Sequence, residues 1–423
     1  MIVTPQKMQG VDLAFTGPPS KSYTHRALIA GALASGTSTV VNPLKAEDTV
    51  LTIAALRILG IAIEKKVDRV IIRGCDGSIP AGEAVTLDLN NSGTSLRLLT
   101  SLALLADHPV TLTGSARMQE RPIGPLADAL QALGGTITFL KKPGYPPLQV
   151  SSHLKGGRVT IDGSISSQFI SSILIAAPYA EKEVEVVIPS PPASASYLDI
   201  TLDVMKDFGA AVTREKYEKF VVGNKDHYTS RSFAVEGDYS SASYFFAIAA
   251  ICGGRVTVGN LKADSVQGDR RFLDALSAMG CTVTASHDSV ALERSGDLNG
   301  ITFDMATSPD TVQTLCMVAA VARSPTTITG IAHLKFKESN RINGTAERLQ
   351  SLGAQVSTGN DSIIITPAPL HGGTIDPAND HRTAMSFAVL GLGTGGITIT
   401  DAGCVSKSFP EFWDTLRNAG VPV

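Results

Sequence analysis

The sequence predicts an α/β protein built from six copies of one unit, three in each half of the chain. The first observation is a recurring Gly that ends an apolar stretch and precedes a β-rich segment. Its six copies are Gly60, Gly134, Gly209, Gly280, Gly353 and Gly420. The gaps between them are 74, 75, 71, 73 and 67 residues. A nearly constant period indicates one structural unit repeated along the chain.

The second observation is a short strand that leads through a polar joint into an apolar helix. Its copies start near residues 14, 86, 160, 234, 302 and 374. Ser, Asn, Asp or Thr at the joint is typical of a helix N-cap, whose side chain accepts the free amide hydrogens of the first turn.

The third observation is a strand rich in Val, Ile and Thr after each helix. The six predicted strands are Thr37–Val41, Val110–Thr113, Val184–Ile188, Arg255–Val258, Thr326–Thr329 and Gly396–Thr400. A second helix then ends at the recurring Gly, which suits a left-handed C-cap, and one or two further strands follow. Each unit is therefore predicted as strand, helix, strand, helix, strand, with the apolar stripes of the helices in the core.

The length predicts two domains. The chain has 423 residues and is 43% hydrophobic, which is ordinary globular composition in a chain too long for one core. The polar segment Gly223–Ser230 lacks apolar periodicity, and we expect the chain to cross between domains there and again near Leu13–Gly17. The expected domains are residues 1–13 with 227–423, and residues 14–226 inserted between them.

Composition excludes several classes of function. A net charge of −3 argues against a general nucleic-acid binder, which would be basic. No apolar run approaches the roughly 20 residues of a membrane span, and Met1–Gly10 has no apolar core typical of a signal peptide. The five cysteines form no CxxC pair, which favours reduced thiols in a cytoplasmic protein. Local basic clusters then favour small anionic ligands.

The polar joints carry the candidate chemistry. The first contains Lys21, Ser22 and Arg26 at a helix start, where cations oppose the helix dipole and so indicate a bound anion. In the second, Gly93 lets a ligand approach the backbone amides. In the fifth, Asp310 is either an N-cap residue or a general base.

The other joints and three further segments are polar or basic. They are Ser164–Gln168, Asn379–Arg382, Arg117–Pro122, Lys335–Arg341 and Ser406–Pro410. A solvated charged face explains any one of these segments alone. All of them lie between the helices and strands of the repeat, and this shared position favours a functional role over a solvated face.

Together these segments resemble the EPSP synthase (3-phosphoshikimate 1-carboxyvinyltransferase) family, essentially from end to end. The matching segments are Lys21–Arg26, Asn91–Arg97, Arg121–Ile123, Ser166–Gln168, Lys337–Arg341, Asn379–Arg382 and Lys407–Pro410. The resemblance implies an α/β fold with two similar domains, each of three βαβαββ repeats around a pseudo-threefold axis (an inside-out α/β barrel), and an active site in the cleft between them. It also implies transfer of the enolpyruvyl group of phosphoenolpyruvate to shikimate-3-phosphate, in the shikimate pathway to chorismate and aromatic amino acids.

The resemblance also implies the partners and the site. We expect two small-molecule substrates, no metal or organic cofactor, no nucleic-acid or membrane partner, and a monomer. The residues implied for shikimate-3-phosphate are Lys21, Ser22, Arg26, Ser166, Ser167, Gln168, Ser194, Tyr197, Asp310 and Lys337. Those implied for phosphoenolpyruvate are Lys21, Gly93, Arg121, Gln168, Arg341, Arg382 and Lys407. Asp310 is the implied base and Glu338 the implied acid, with Lys21 and Lys337 as further catalytic residues.

The chain departs from the family pattern at a few positions. Ser92 stands where Ala is common, and His333 stands where some members place a substrate-contacting Asn, so His333 is left out of the expected site. The herbicide glyphosate competes with phosphoenolpyruvate in this family. Gly93 leaves room for it, and we expect sensitivity.

Two alternatives stay open at the level of sequence. A sister enzyme transfers enolpyruvyl to UDP-N-acetylglucosamine and shares the repeat and the basic anchors. It usually carries a reactive Cys near the Arg121 region, and Ser115–Pro122 contains none. A non-catalytic anion-binding module on the same scaffold is the other alternative, and the retained Asp310 and Glu338 argue against it.

Overall fold

The structure, a computed structural model, describes residues 1–423 and divides into two compact units. Unit 1 comprises Met1–Pro18 and Glu236–Val423, and unit 2 comprises Pro19–Val235. The sequence places the two chain crossings after residues 13 and 226, whereas the chain enters unit 2 after Pro18 and leaves it after Val235.

Twelve α-helices and 22 strands make up the two units. The helices are α1 (Lys21–Leu33), α2 (Glu47–Ile58), α3 (Gly93–Leu102), α4 (Gly124–Ala132), α5 (Ser167–Ala176), α6 (Ser196–Asp207), α7 (Tyr239–Cys252), α8 (Arg271–Ala278), α9 (Val312–Ala319), α10 (Arg341–Ser351), α11 (His381–Thr394) and α12 (Phe412–Asn418). The strands of the first half are β1 (Val11–Thr16), β2 (Thr37–Val41), β3 (Ala62–Lys65), β4 (Arg69–Arg73), β5 (Val85–Asp88), β6 (Val110–Thr113), β7 (Thr136–Phe139), β8 (Leu148–Ser151), β9 (Gly157–Thr160), β10 (Val184–Val187), β11 (Val212–Glu215), β12 (Lys219–Val222) and β13 (Ser232–Ala234). Those of the second half are β14 (Gly254–Gly259), β15 (Thr282–Ala285), β16 (Ser289–Arg294), β17 (Thr302–Asp304), β18 (Thr326–Thr329), β19 (Gln355–Thr358), β20 (Ser362–Thr366), β21 (Gly373–Ile375) and β22 (Ile397–Ile399).

The strands form three sheets in each unit, which confirms the six repeats. Unit 2 contains β13-β2-β4-β3, β5-β6-β8-β7 and β11-β12-β10-β9, and unit 1 contains β1-β14-β16-β15, β17-β18-β20-β19 and the pair β21-β22. In β5-β6-β8-β7, for example, β5 and β6 run parallel and the hairpin strands β7 and β8 are antiparallel. This is the βαβαββ order, and all six predicted Val-, Ile- and Thr-rich strands are present.

The sixth repeat departs from the others in its sheet. It has no hairpin, and β21 and β22 form a two-stranded parallel sheet. Val3 lies antiparallel to β22 instead, and its N–H and C=O both bond to Ile399, at 3.0 and 2.8 Å. The start of the chain thus supplies backbone partners that a hairpin supplies in the other repeats.

Two strands belong to one unit although the helix that follows each of them in sequence belongs to the other unit. Strand β1 precedes α1 of unit 2 but lies parallel to β14 of unit 1 over six residue pairs. Strand β13 precedes α7 of unit 1 but lies parallel to β2 of unit 2. Each crossing therefore falls after the strand, because a strand adds to whichever sheet offers its open edge.

The recurring glycines confirm their predicted role as helix C-caps. All six have φ between +80° and +109°. The residue after each Gly donates its N–H to a carbonyl five positions earlier, as in the bond from Ile61 to Leu56 at 3.0 Å. This is the Schellman arrangement, which satisfies the free carbonyls at a helix end.

Each unit has its own hydrophobic core around three central helices, α1, α3 and α5 in unit 2 and α7, α9 and α11 in unit 1. Helix α7 is buried on every side rather than on one stripe. Hydroxyl pairs join the central helices of unit 2, such as Ser101 to Ser172 at 2.6 Å. All five cysteines are free thiols. None of the helices combines the length and the apolar character that crossing a bilayer requires.

Candidate active site

The polar joints begin the central helices, as predicted, and four of the six carry side-chain caps. Ser92, Ser166, Asp238 and Asp380 each accept a hydrogen bond from an amide in the first turn. The prediction is wrong for the first joint, where the buried Ser20 hydroxyl caps nothing and has no hydrogen-bond partner. It is also wrong for the fifth joint, which makes no side-chain cap.

Lys21 opens α1 and contacts a buried carboxylate. Its Nζ lies 3.2 Å from Asp48 Oδ2, and the two side chains are 14% and 3% exposed. No acidic residue lies in the first turn of α1, so the positive end of the helix dipole adds to the Lys21 charge. Asp48 holds the ammonium in place at the mouth of this joint.

Arg26 is buried one turn further along α1 and gathers several predicted substrate residues. Its guanidinium donates to the backbone oxygens of Ser22 and Tyr197 at 3.0 and 3.2 Å, and to the hydroxyls of Thr201 and Ser171 at 2.7 and 3.3 Å. All four acceptors are neutral, and one Nη1 hydrogen remains for another acceptor. Burial lowers the pKa of Arg26 to about 10, so it stays charged at neutral pH.

Arg121 lies directly against Gly93. A Cβ added to Gly93 would fall 2.6 Å from Arg121 Nη2, so only Gly fits there without displacing the guanidinium. Arg121 is 4% exposed. It donates one long bond, from Nη1 to Asn91 O at 3.4 Å, and its Nε has no partner. No carboxylate lies within ion-pair distance of this buried cation.

Gln168 is oriented by two neighbours at the start of α5. Its Oε1 accepts from Arg97 Nη1 at 2.7 Å, and its Nε2 donates to Thr94 Oγ1 at 3.0 Å. Ser166 caps the same helix by accepting from the Gln168 amide at 3.3 Å, and Ser167 is buried beside it. Ser194, also implied by the resemblance, is buried with a left-handed φ of +57°.

In unit 1 two arginines hold Asp310. Arg341 Nη1 lies 3.1 Å from Asp310 Oδ1, and Arg382 Nη2 lies 2.7 Å from Oδ2. Asp310 sits in a 3-10 turn, Pro309–Thr311, ahead of α9. Its carboxylate faces the arginines and caps no helix, so the N-cap role considered for this residue in the sequence is wrong.

Arg341 is the centre of an acidic cluster. Besides Asp310 it contacts Glu338 Oε2 at 2.9 Å and Asp380 Oδ2 at 2.9 Å. Burial disfavours its charge, but Asp380, Glu338 and Asp310 more than offset this and raise the pKa of Arg341 above its ordinary value. The predicted acid Glu338 and the predicted base Asp310 are thus bridged by one guanidinium.

The two remaining predicted residues of unit 1, Lys337 and Lys407, lie at the C-terminal ends of short 3-10 helices. Lys337 follows the 3-10 helix Ala332–Phe336. Lys407 is buried at the end of the 3-10 helix Ala402–Lys407, which packs on α11. His333 is buried near Lys337, and burial together with the Lys337 charge lowers the pKa of His333 to about 3. It is therefore neutral at physiological pH.

Sequence reasoning missed the residues that hold the predicted ones in place. Asp48 orients Lys21, Arg97 orients Gln168, and Asp380 orients Arg341. Asp380 and Arg97 stand inside the matched segments and were available as signals. Asp48 stands at the start of α2 in no matched segment, and its partner is 27 residues earlier.

The site residues around Arg26 and Arg121 form the unit 2 cluster, and those around Arg341 and Arg382 form the unit 1 cluster. The two clusters differ in how far their cations are neutralised by carboxylates. The cations of unit 1, Arg341 and Arg382, are neutralised by carboxylates, whereas Arg26 and Arg121 of unit 2 are buried without one. Buried charges in proteins are normally paired. The unit 2 cluster is therefore suited to phosphate or carboxylate groups. No group of three or more His, Cys, Asp or Glu side chains is arranged to hold a metal ion.

The chain is similar to known proteins of one family along nearly its whole length. The family model for EPSP synthase (3-phosphoshikimate 1-carboxyvinyltransferase) matches residues 5–416. A 3-phosphoshikimate 1-carboxyvinyltransferase of Methanoregula boonei is 64% identical over 416 residues, covering 98% of this chain and 99% of the relative. One of Citrobacter koseri is 40% identical over 424 residues and covers 99% of both chains.

Solved structures give the same result. EPSP synthase from Acinetobacter baumannii superposes with a TM-score of 0.83 at 30% identity, covering 99% of this chain and 98% of that one. The match extends over both units, and its fold is the two-domain α/β fold that the repeats predict. From the model match, the identities and the shared fold, the chain belongs to the EPSP synthase (3-phosphoshikimate 1-carboxyvinyltransferase) family.

Proposed function

We propose that this protein transfers the enolpyruvyl group of phosphoenolpyruvate to the 5-hydroxyl of shikimate-3-phosphate, releasing phosphate. The observation that carries the proposal is Arg121, a buried guanidinium with no carboxylate partner and most of its donors unused. Such a group favours a fixed anionic ligand because Arg binds phosphate and carboxylate through paired hydrogen bonds. Membership of the EPSP synthase family supports phosphoenolpyruvate as that ligand.

The proposed binding roles follow the two clusters. In unit 2, shikimate-3-phosphate is bound at the first joint, the third joint and the start of α6, through Ser22, Arg26, Ser166, Ser167, Gln168, Ser194 and Tyr197. Phosphoenolpyruvate takes Gly93, Arg121 and Gln168 of unit 2 together with Arg341, Arg382 and Lys407 of unit 1. Lys21 contacts both substrates, and Lys337 contacts shikimate-3-phosphate. The two clusters thus serve one pair of substrates, in the cleft that the family resemblance implies.

The chemistry is addition followed by elimination. Asp310 takes the proton of the 5-hydroxyl while that oxygen bonds to C2 of phosphoenolpyruvate, and Glu338 delivers a proton to the methylene carbon C3. In the second step C3 returns a proton to Glu338, the C2–O bond to phosphate breaks, and Asp310 returns its proton to the leaving phosphate. Both carboxyl groups end as they began, so atoms and charges balance over the cycle.

The cations lower the barrier by placing two anions side by side. Shikimate-3-phosphate and phosphoenolpyruvate each carry a phosphate and a carboxylate and repel each other in water. Fixed guanidinium and ammonium groups offset this repulsion without reorganising during the reaction. Lys21 and Lys337 contribute to this stabilisation beside the two proton carriers. We propose a cytoplasmic monomer acting in the shikimate pathway.

A phosphate-release assay tests the function directly. We expect release from phosphoenolpyruvate with shikimate-3-phosphate and none with UDP-N-acetylglucosamine as the acceptor. Release only with the sugar nucleotide would assign the sister activity instead. No release with either acceptor would support the non-catalytic module, provided that calorimetry shows that the same preparation binds phosphoenolpyruvate.

The contact between Gly93 and Arg121 predicts inhibitor sensitivity and how to lose it. We expect glyphosate to compete with phosphoenolpyruvate. Gly93→Ala should weaken the binding of both ligands, since the new Cβ would lie 2.6 Å from Arg121 Nη2. A displaced guanidinium should raise KM for phosphoenolpyruvate by about 10-fold and raise the inhibition constant for glyphosate.

Steady-state kinetics with each variant measures both effects. Gly82→Ala is the matched control, because a Cβ at Gly82 meets nothing within 4 Å. Unchanged KM and inhibition in Gly93→Ala would show that Arg121 does not bind phosphoenolpyruvate in the position seen here.

A further inference from the structure

Asp269 is a buried carboxyl group of unit 1 for which the proposed chemistry has no role. It lies in the 3-10 turn Gly268–Arg270 and is 5% exposed. A carboxyl group at this depth is either protonated or matched to nearby donors and cations. Ser240, in the first turn of α7, donates a hydrogen bond to Asp269 Oδ2.

The turn that carries Asp269 is fastened to the turn that carries Asp310. Ser308 Oγ donates to Gly268 O at 2.6 Å, and Arg271 Nη1 donates to Thr307 Oγ1 at 3.0 Å. These two bonds hold the Gly268–Arg270 and Pro309–Thr311 turns side by side. The carboxyl groups of Asp269 and Asp310 are therefore held in a fixed position relative to each other.

Three charged groups act on Asp269 from the neighbouring elements. They are Asp310 in the adjacent turn, Arg382 at the start of α11 and Asp238 at the start of α7. Burial and the Asp310 charge raise the pKa of Asp269 to about 7, against an ordinary value of 3.8. Arg382 bonds to Asp310 at 2.7 Å, so the two acids share the influence of one guanidinium.

We propose that Asp269 is a positioning residue that sets the basicity of Asp310 through their shared neighbour Arg382. When Asp269 is protonated, Asp310 is the only one of the two acids that carries a negative charge for Arg382 to stabilise, and Asp310 is then a weak base. When Asp269 is ionised, it draws on the same guanidinium and repels the Asp310 charge, so Asp310 binds a proton more readily. The inference rests on the proposed role of Asp310 as the base.

The test compares the pH profiles of kcat for the wild type and Asp269→Asn. Asn keeps the shape of the protonated carboxyl group but does not ionise. We expect a step in the wild-type profile near neutral pH that Asp269→Asn lacks. The variant should match the wild type at about pH 6 and be roughly threefold to tenfold slower at about pH 8.5, with KM for both substrates nearly unchanged.

Ser240→Ala gives a second and independent measurement. The Ser240 hydrogen bond lowers the pKa of Asp269, so its loss should move the step to higher pH without abolishing it. Asp274→Asn, on the exposed face of α8, is the control and should keep the wild-type profile.

Thermal unfolding follows the same titration without any activity. Because the pKa of Asp269 is raised in the folded protein, the folded chain holds a proton between about pH 4 and about pH 7 that the unfolded chain has lost. The stability that this proton provides is present below about pH 4 and is lost as the pH rises to about 7. Asp269→Asn should therefore gain stability relative to the wild type at about pH 8 and not at about pH 4.

Two outcomes would overturn the proposal. A neutral step that persists in Asp269→Asn would assign it to another group, and an equal loss of kcat at every pH would reduce Asp269 to a structural role. If Asp269→Asn does not fold, an unmoved step in Ser240→Ala has the same consequence. A wild-type protein without phosphate release would instead count against the proposed function, and the unfolding comparison would still report on Asp269.

Discussion

Asp310→Asn should lower kcat by roughly 10²- to 10⁴-fold, the contribution typical of a positioned general base. The amide keeps the shape of the carboxylate but does not take the proton of the 5-hydroxyl. Binding should survive, because Arg341 also contacts Glu338 and Asp380, and Arg382 loses a competitor for anionic substrate. We therefore expect the dissociation constant for phosphoenolpyruvate to stay the same or fall.

Single-turnover kinetics and calorimetry separate these two effects. Asp304→Asn is the matched control, since Asp304 lies six residues earlier on the exposed end of β17 and contacts none of the arginines. Turnover of Asp310→Asn within a few-fold of the wild type would rule out Asp310 as the base. If Asp310→Asn loses both substrate binding and turnover, Asp310 has a structural role.

Arg121→Lys should raise KM for phosphoenolpyruvate by roughly 10- to 100-fold and affect KM for shikimate-3-phosphate much less. A hydrogen bond to a charged group contributes about 1.5–3 kcal/mol, and Lys offers a point charge where Arg offers a planar fork. The stability of the folded protein should change little, because Arg121 makes a single long internal hydrogen bond. Equal or greater thermal stability is expected, as is common for a site built to bind rather than to stabilise.

Arg117→Lys provides the control four residues away. Arg117 is 38% exposed and pairs with Glu120 at 2.9 Å, so its replacement should leave both KM values unchanged. If Arg121→Lys raises KM for shikimate-3-phosphate instead, the two substrates are assigned to the wrong joints. If it destabilises the protein as strongly as it weakens binding, the buried guanidinium serves the fold.

The local parts of the fold were predictable from sequence because their causes are local. A left-handed C-cap favours Gly whatever surrounds it, and all six recurring glycines adopt that conformation. The Val-, Ile- and Thr-rich strands also follow from short-range pattern, and their predicted bounds agree with the structure to within a residue or so. The repeat period then gave the number of units.

The partners of the strands and of the charges depend on distant parts of the chain. Strand β1 adds to a sheet whose next strand begins 243 residues later, and no pattern near residue 11 indicates which open edge it fills. The family resemblance named Asp310 and Arg341, but their contact joins residues 31 apart. Asp48 and Asp269 belong to no matched segment.

The sequence by itself determined the repeat, the helix ends, the family and the segments where chemistry is expected. Only the tertiary structure decided that Asp310 is held by two arginines, that Gly93 lies against Arg121, and that Arg121 lacks a carboxylate partner. The physical reason is range. Caps and strand patterns depend on a few neighbouring residues, whereas the balance of buried charge depends on which helix starts the fold brings together.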